Sequence, residues 1–294
     1  MNVFIPSNGD RAITRIINAL KRYAPPSVAF VPREEAADLV VIFVTGAQDR
    51  TRKTVERLTS RGQRYAIVQI CLRSTKRPHT RHWRPIWHGA ELVWSWLDLN
   101  GAMADDGEED ALDYYFAPLG VDDAFQGAAT KDQDASEPEQ RTYLIATSGL
   151  NWFTESIREC ASAAARVNRR VFHLGPELYR PIVECYSGIS DQDLAHSYSQ
   201  CDFVSGLRRK EGFELPAAEG LCCGARPILF DTPGYRRWYE PWGLFIPERS
   251  RDEVIASLVA LFRQGPNPAK DHERREAAER FDWATIIPGF WSRL

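Results

Sequence analysis

Leu39-Val-Val-Ile-Phe-Val44 is an unbroken apolar run with β-branched residues at Val40, Val41, Ile42 and Val44. A strand with one wetted face alternates apolar and polar side chains. A strand without alternation is buried on both faces, as in a parallel sheet covered by helices above and below. Tyr65–Leu72 reads as another buried strand, and Thr142–Thr147, Arg170–Leu174, Asp202–Ser205 and Arg226–Asp231 read as further strands. Shorter apolar stretches at Asn2–Pro6, Ser27–Val31, Ala90–Trp96 and Tyr115–Leu119 extend the series. Between them, Ile13, Ile16, Ile17 and Leu20 recur at helical spacing. Arg50–Arg61, Trp152–Arg166, Asp191–Ser199, Leu215–Cys223, Arg251–Phe262 and a tail at Trp283–Leu294 also read as helices. Strands alternating with helices predict an α/β chain built on parallel sheets.

The 294 residues suffice for two domains with their own cores. Gln126–Gln140 (QGAATKDQDASEPEQ) lacks periodicity and large apolar groups, and it reads as a linker. The expected division is a Rossmann-like domain over 1–125, the linker over 126–140, and a second βαβ domain over 141–280. No stretch reaches the eighteen or so uncharged apolar residues of a membrane span. The first residues enter a strand with no basic region or cleavage site, so a cytoplasmic location is the default expectation. The six cysteines form no C-x-x-C pair and no zinc spacing with His, so buried reduced thiols are expected, with no metal and no disulfide.

A net charge of −3 hides two blocks of opposite sign. Arg50–Arg84 holds eleven Lys/Arg and one acid, Glu56, whereas Gly101–Gln140 holds twelve Asp/Glu and one base, Lys131.

The most informative run is Lys210-Glu-Gly-Phe-Glu-Leu-Pro-Ala-Ala-Glu-Gly-Leu-Cys-Cys-Gly-Ala-Arg-Pro-Ile-Leu-Phe-Asp231. Glu211 falls in the loop after a strand, and Glu219 falls in the first turns of the following helix. A helix start offers free N–H groups and partial positive charge, which suits a phosphate. Carboxylates beside it accept charge-assisted hydrogen bonds from sugar hydroxyls.

This run resembles the signature of retaining GT-B glycosyltransferases of the glycogen-synthase and sucrose-synthase-like class. Gly188–Asp202, His173-Leu-Gly-Pro176, Pro233-Gly234, Gly243–Pro247 and Phe281-Asp-Trp283 fit the segments around it. The resemblance covers residues 141–294 well and the first domain in outline. It implies a GT-B fold of two Rossmann-like domains facing a central cleft, with 281–294 returning to the first domain. It implies a nucleotide-diphosphate sugar as donor, a UDP-sugar first among them, with no permanently bound cofactor and no metal. Glu211 would bond sugar hydroxyls, Glu219 the ribose, and the backbone of Gly212, Phe213 and Glu214 the sugar or its phosphate. Gly175 would lie beside the nucleotide.

The chain departs from that class at three places. Glu214 stands where glycine is usual, and its carboxylate could face the sugar or turn away. Thr147-Ser-Gly-Leu-Asn-Trp-Phe-Thr154 lacks the Arg and Lys that neutralise the diphosphate. Ser148, Gly149 and the next helix start could hold phosphate instead, with charge from Arg208, Arg209 or Lys210, or those bases could form a solvated loop. No His follows the strand ending near Ile70, where relatives place one. Asp10, in the loop Ser7–Asp10 opening on the expected cleft, is read as an acceptor-side group or a helix cap.

For the acceptor, the basic run Arg73–Trp87 follows the carboxyl end of a strand, the edge that faces ligands in open α/β sheets. Arg73, Lys76, Arg77 and Arg81 could track phosphates while Trp83 stacks on a base. That points to a nucleic-acid acceptor, such as a flipped hydroxylated base in DNA of the kind phage-type enzymes modify. A solvated basic face, and an acceptor that is a glycan, protein or small molecule, stay open. So does a non-catalytic nucleotide- or nucleic-acid-binding module. Oligomeric state is not legible.

Overall fold

The computed structural model describes residues 1–7, 11–44, 48–70, 80–104, 107, 111–130, 141–149, 155–176, 182–209 and 213–294; the side chains of 11, 48, 49, 80–82, 129 and 130 are outside the description. Two compact units result: Met1–Gly120 with Trp283–Leu294, and Val121–Asp282.

The first unit carries β1 (Asn2–Phe4), α1 (Arg11–Arg22), β2 (Ala29–Phe30), β3 (Leu39–Val44), α2 (Gln48–Ser60), β4 (Arg64–Gln69), α3 (Thr80–His88), β5 (Leu92–Ser95), α4 (Leu99–Ala104) and β6 (Tyr115–Phe116). Among the described residues the strands form one sheet in the order β2-β1-β3-β4-β5-β6, parallel throughout. The apolar run of β3 is buried at Leu39, Val40, Val41, Ile42 and Val44, as a central parallel strand requires.

The second unit carries α5 (Asp123–Thr130), β7 (Tyr143–Ser148), α6 (Ile157–Arg166), β8 (Val171–Leu174), β9 (Val183–Tyr186), α7 (Asp191–Ser199), β10 (Cys201–Gly206), α8 (Leu215–Cys222), β11 (Arg226–Phe230), α9 (Pro233–Tyr239), β12 (Leu244–Ile246), α10 (Arg251–Phe262) and α11 (Asp271–Arg280). Its sheet runs β12-β11-β10-β7-β8-β9, again all parallel. The chain moves outward from β7 through β8 to β9, then returns to the other side of β7 and moves outward through β11 to β12. Right-handed crossovers therefore put α6 and α8 on opposite faces.

The last helix, α12 (Trp283–Trp291), belongs to the first unit. Its Trp283 ring meets Trp94 edge-on at 6.4 Å, and Phe290 lies 5.9 Å from the same ring. Trp291 Nε1 donates to the Leu20 carbonyl, and Tyr115 Oη donates to the Ile286 carbonyl. Aromatic burial with each polar tip satisfied holds the end of the chain in place.

Several elements differ from expectation. Residues 126–130, expected in the linker, complete α5, because Phe125 is fully buried with its ring 6.2 Å from Tyr198; residues 131–140 lie outside the description. The helix expected from Trp152 begins at Ile157, because Glu155 is engaged in an antiparallel bridge with Arg208. The expected basic loop contains α3, in which Trp83 and Trp87 stack at 6.5 Å. Pro233-Gly234, for which the sequence assigned no helix, opens α9, capped by the Thr232 hydroxyl accepting from the Tyr235 N–H. The expected buried thiols are found at Cys160, Cys201, Cys222 and Cys223, while Cys185 is partly exposed. Among the described residues no helix is long and apolar enough to cross a membrane.

One close approach positions α8. A Cβ at Gly220 would sit 2.7 Å from Val204 Cγ1 and 2.8 Å from Val204 Cβ on β10, so the helix can lie this near the sheet only without a side chain there. Gly220→Ala should therefore overpack this interface and cost ~1–3 kcal/mol. Urea unfolding would show a lowered midpoint at unchanged slope; an unchanged midpoint would contradict this packing.

Candidate functional site

In the second sheet the strand order reverses between β7 and β10. Open α/β sheets bind ligands at such a point, beyond the carboxyl ends of the strands. Here those ends are Ser148-Gly149 on β7 and Leu207-Arg208-Arg209 after β10. The starts of the crossover helices α6 and α8 follow from these two strands.

Ser148 is half-buried and pairs in register with Leu174, and the Gly149 N–H donates to the Leu174 carbonyl at 3.1 Å. The Gly149 amide is thus used in the sheet rather than offered to a ligand. Gly149 has φ +141°, and a Cβ there would collide with the Glu155 carboxylate. The positive φ favours glycine at this position, and the Glu155 carboxylate packs directly over it.

Glu155 is 8% exposed. It accepts from Arg208 Nη2 at 2.5 Å through Oε1, while Oε2 has no hydrogen-bond partner among the described residues. Burial pushes its pKa up to about 7, with Arg208 opposing the rise and Glu214 adding to it. Arg208 Nε lies 3.2 Å from Glu214 Oε1, close enough for charge attraction though not aligned as a hydrogen bond. Glu214 is 4% exposed, and burial raises its carboxyl above the usual range against the pull of Arg208. Its backbone carbonyl accepts from Tyr239 Oη at 2.6 Å, and the Arg208 carbonyl accepts from Tyr235 Oη at 2.9 Å. One guanidinium is therefore held between two buried carboxylates. The side chain that replaces the usual glycine at position 214 turns inward, onto Arg208.

Arg209 turns to different partners. Nη1 donates to Ser156 Oγ at 2.9 Å, Nη2 lies 3.6 Å from Glu159, and the guanidinium sits 5.2 Å from the Phe230 ring centre. Phe213 is buried among Trp238, Tyr239 and Phe281, with ring separations of 6.4, 5.6 and 5.5 Å, so its ring anchors the start of α8. Glu219 lies in the second turn of α8 and is 3% exposed. The Gly175 N–H donates to the Tyr186 carbonyl, and a Cβ there would sit 2.5 Å from His173 Nε2. His173 is fully buried, bonded through Nδ1 to Thr147 Oγ1 at 2.9 Å; burial lowers its pKa to about 4 and keeps it neutral.

Of the other residues singled out in the sequence, Asp10, Lys210, Glu211, Gly212, Arg73, Lys76 and Arg77 lie outside the described residues, as does the Arg81 side chain. Trp83 is 1% exposed inside α3, so its ring is not offered to a nucleobase as expected. Glu155, Ser156 and Glu159 were not anticipated. Their signal is tertiary, since Arg208 and Glu155 are 53 residues apart.

No protein-family model matches the chain, and no curated protein matches it. Solved structures do. The Anabaena protein HepE, crystallised in complex with UDP-glucose, is 14% identical over 100% of this chain and 99% of its own, with a TM-score of 0.67. Sucrose-phosphate synthase from Thermosynechococcus elongatus is 12% identical over 99% and 97%, with a TM-score of 0.70. The lipopolysaccharide outer core galactosyltransferase WaaB is 12% identical over 100% and 99%, with a TM-score of 0.65. The chain shares their GT-B fold.

The raised carboxyl makes stability depend on pH. Glu155 titrates near 7 in the folded chain and near its ordinary 4.5 when unfolded, so between those values the folded state binds more protons. Stability associated with this group is full below about pH 4.5 and lost as pH rises through about 7. Relative to Glu155→Gln, the wild type should lose up to ~3 kcal/mol between pH 4.5 and 8. Denaturant titrations of both proteins across that range check this; parallel pH profiles would contradict the buried-acid assignment.

Proposed function

We propose that this chain is a glycosyltransferase that moves a hexosyl group from a UDP-sugar to an acceptor hydroxyl, with retention at the anomeric carbon and without a resident metal or cofactor. The observation that carries the reading is Glu219, buried in the second turn of α8 beside the β7/β10 switch point. It ends a Glu-Gly-Phe-Glu-Leu-Pro-Ala-Ala-Glu run. A carboxylate there is suited to accept hydrogen bonds from the two ribose hydroxyls, with Glu211 performing the same service for the sugar. The shared fold with HepE, which was crystallised with UDP-glucose, supports UDP as the nucleotide.

Transfer passes through an oxocarbenium-like state as the nucleoside diphosphate departs. The protein's part is to hold the leaving phosphates against positive charge and to position the acceptor oxygen. Gly212, Phe213 and Glu214 are proposed to contribute backbone contacts, with Ser148, Gly149, Gly175, Arg209 and Lys210 around the nucleotide. Asp10 is proposed on the acceptor side.

The acceptor is proposed to be a hydroxyl on a glycan or small molecule, in keeping with the names of the solved galactosyltransferase and sucrose-phosphate synthase. A second reading, a hydroxylated base in DNA, rests on the eleven cations against one acid between Arg50 and Arg84. With Trp83 buried, charge alone supports it. If DNA binds, retention weakens with salt, and replacing Arg73, Lys76 and Arg77 with Ala flattens that dependence by about one unit of slope for each phosphate no longer neutralised. An unchanged slope removes DNA from the reading.

The donor reading is tested by incubating the protein with UDP-glucose and measuring UDP release and donor affinity. Glu219→Gln keeps the side-chain volume while removing the charge. It should weaken UDP-glucose binding about 10- to 100-fold, the equivalent of ~1.5–3 kcal/mol for the missing charge-assisted hydrogen bonds. Wild-type affinity in the variant would sink the assignment of Glu219.

A further inference from the structure

We infer that Arg208 is the cation that receives the diphosphate of the donor, and that the Glu155 carboxylate occupies the phosphate position until the donor displaces it. The inference rests on the UDP-sugar reading of this site and names the charge that the segment Thr147–Thr154 does not supply.

The placement is set by the backbone. The Glu155↔Arg208 bridge puts the two residues opposite each other, just past the carboxyl ends of the adjacent strands β7 and β10. This is the crevice in which open α/β sheets hold ligands. Arg208 keeps 26% of its side chain exposed, whereas Glu155 keeps 10%, so an arriving anion can reach the guanidinium. A guanidinium presents the same planar fork to a phosphate as to a carboxylate, so the two anions compete for one set of donors.

The hold on Glu155 is also incomplete. One oxygen is bonded to Arg208, and the other is buried over Gly149 with no partner among the described residues. Two carboxyl groups share the one Arg208 guanidinium, and burial raises both of them. Arg209 is engaged by Ser156, Glu159 and Phe230, with Glu248 at 3.9 Å, rather than by Glu155 or Glu214.

Displacement has a proton consequence. The groups around Glu155 are Arg208 and Arg209 after β10, Glu214 at the start of α8, Glu159 on α6, Tyr235 on α9 and, behind Gly149 and Gly175, the neutral His173 on β8. Arg208 is the cation bonded to the carboxylate. Once phosphate takes that cation, Glu155 stands beside added negative charge, and its ionised form becomes less favourable. Its carboxyl already titrates near 7, so at pH 8 donor binding draws a proton onto it.

Isothermal titration calorimetry of the full chain with UDP at pH 8, in two buffers of different ionisation enthalpy, reads this directly. The terminal phosphate of UDP is already ionised there, its second pKa being about 6. The expected result is uptake of about one proton per UDP bound by wild type and none by Glu155→Gln. The Gln variant should bind UDP about tenfold more tightly at pH 8. Arg208→Ala, confirmed folded by circular dichroism, should lose at least about tenfold in affinity, and Arg209→Ala much less. UDP binding without proton uptake, or equally tight binding by wild type and Glu155→Gln, would overturn the inference and leave the donor reading intact. No UDP binding by either protein at millimolar concentration would overturn both.

Discussion

Parallel pairing of β7 with β10 brings together two chain segments far apart in sequence, and the chemistry of the second unit follows from that neighbourhood. The pairing makes β7 the centre of its sheet and reverses the winding direction beside it. The two loops that leave these strands must run past each other, and they do so through the Glu155↔Arg208 bridge. Helix α8 can start where it does because Gly220 lets it lie against Val204 and because Phe213 is sunk among Trp238, Tyr239 and Phe281. A shift of α8 by one side-chain layer would move Glu219 and Glu214 together.

Two arginines in this unit show how differently a buried guanidinium can be used. Arg226 donates to the carbonyls of Asn267, Trp242 and Pro268 and forks onto both oxygens of Glu273. Carboxylate and carbonyls together occupy all three of its nitrogens, as a structural ion pair should. Arg208 is instead shared by two buried acids that it does not satisfy. Glu155 Oε2 and Glu214 Oε1 lack hydrogen bonds among the described residues, and both carboxyls are raised by burial. Such an arrangement costs stability. Perturbed, under-satisfied acids beside a reversal of strand order are what the proposed donor site would use.

The fold was legible where local pattern decides structure. An unbroken β-branched run marked β3, and Asp191–Ser199 read as the helix that α7 forms, its start capped by the Ser190 hydroxyl accepting from the Asp193 N–H. The fold was less legible where burial is sparse. In α11 only Arg274 and Ala277 are buried, so Asp271–Arg280 shows no apolar stripe, and β9 is a short edge strand. Trp83, set among basic residues and two positions before Pro85, reads as a loop residue in sequence yet packs on Trp87. Within the site, Glu219 was singled out by its spacing from Glu211, and Glu214 only as a departure from the resembled signature. Glu155 was not, because its partner lies across a strand crossover that no local pattern reveals.

A crystal structure of the chain with UDP would show whether Arg208 receives the diphosphate in place of Glu155. The diphosphate should lie within hydrogen-bonding distance of the Arg208 guanidinium, with the ribose on Glu219 and Glu155 moved off Arg208. UDP bound elsewhere, or bound here with the Glu155–Arg208 pair unchanged, would contradict this placement.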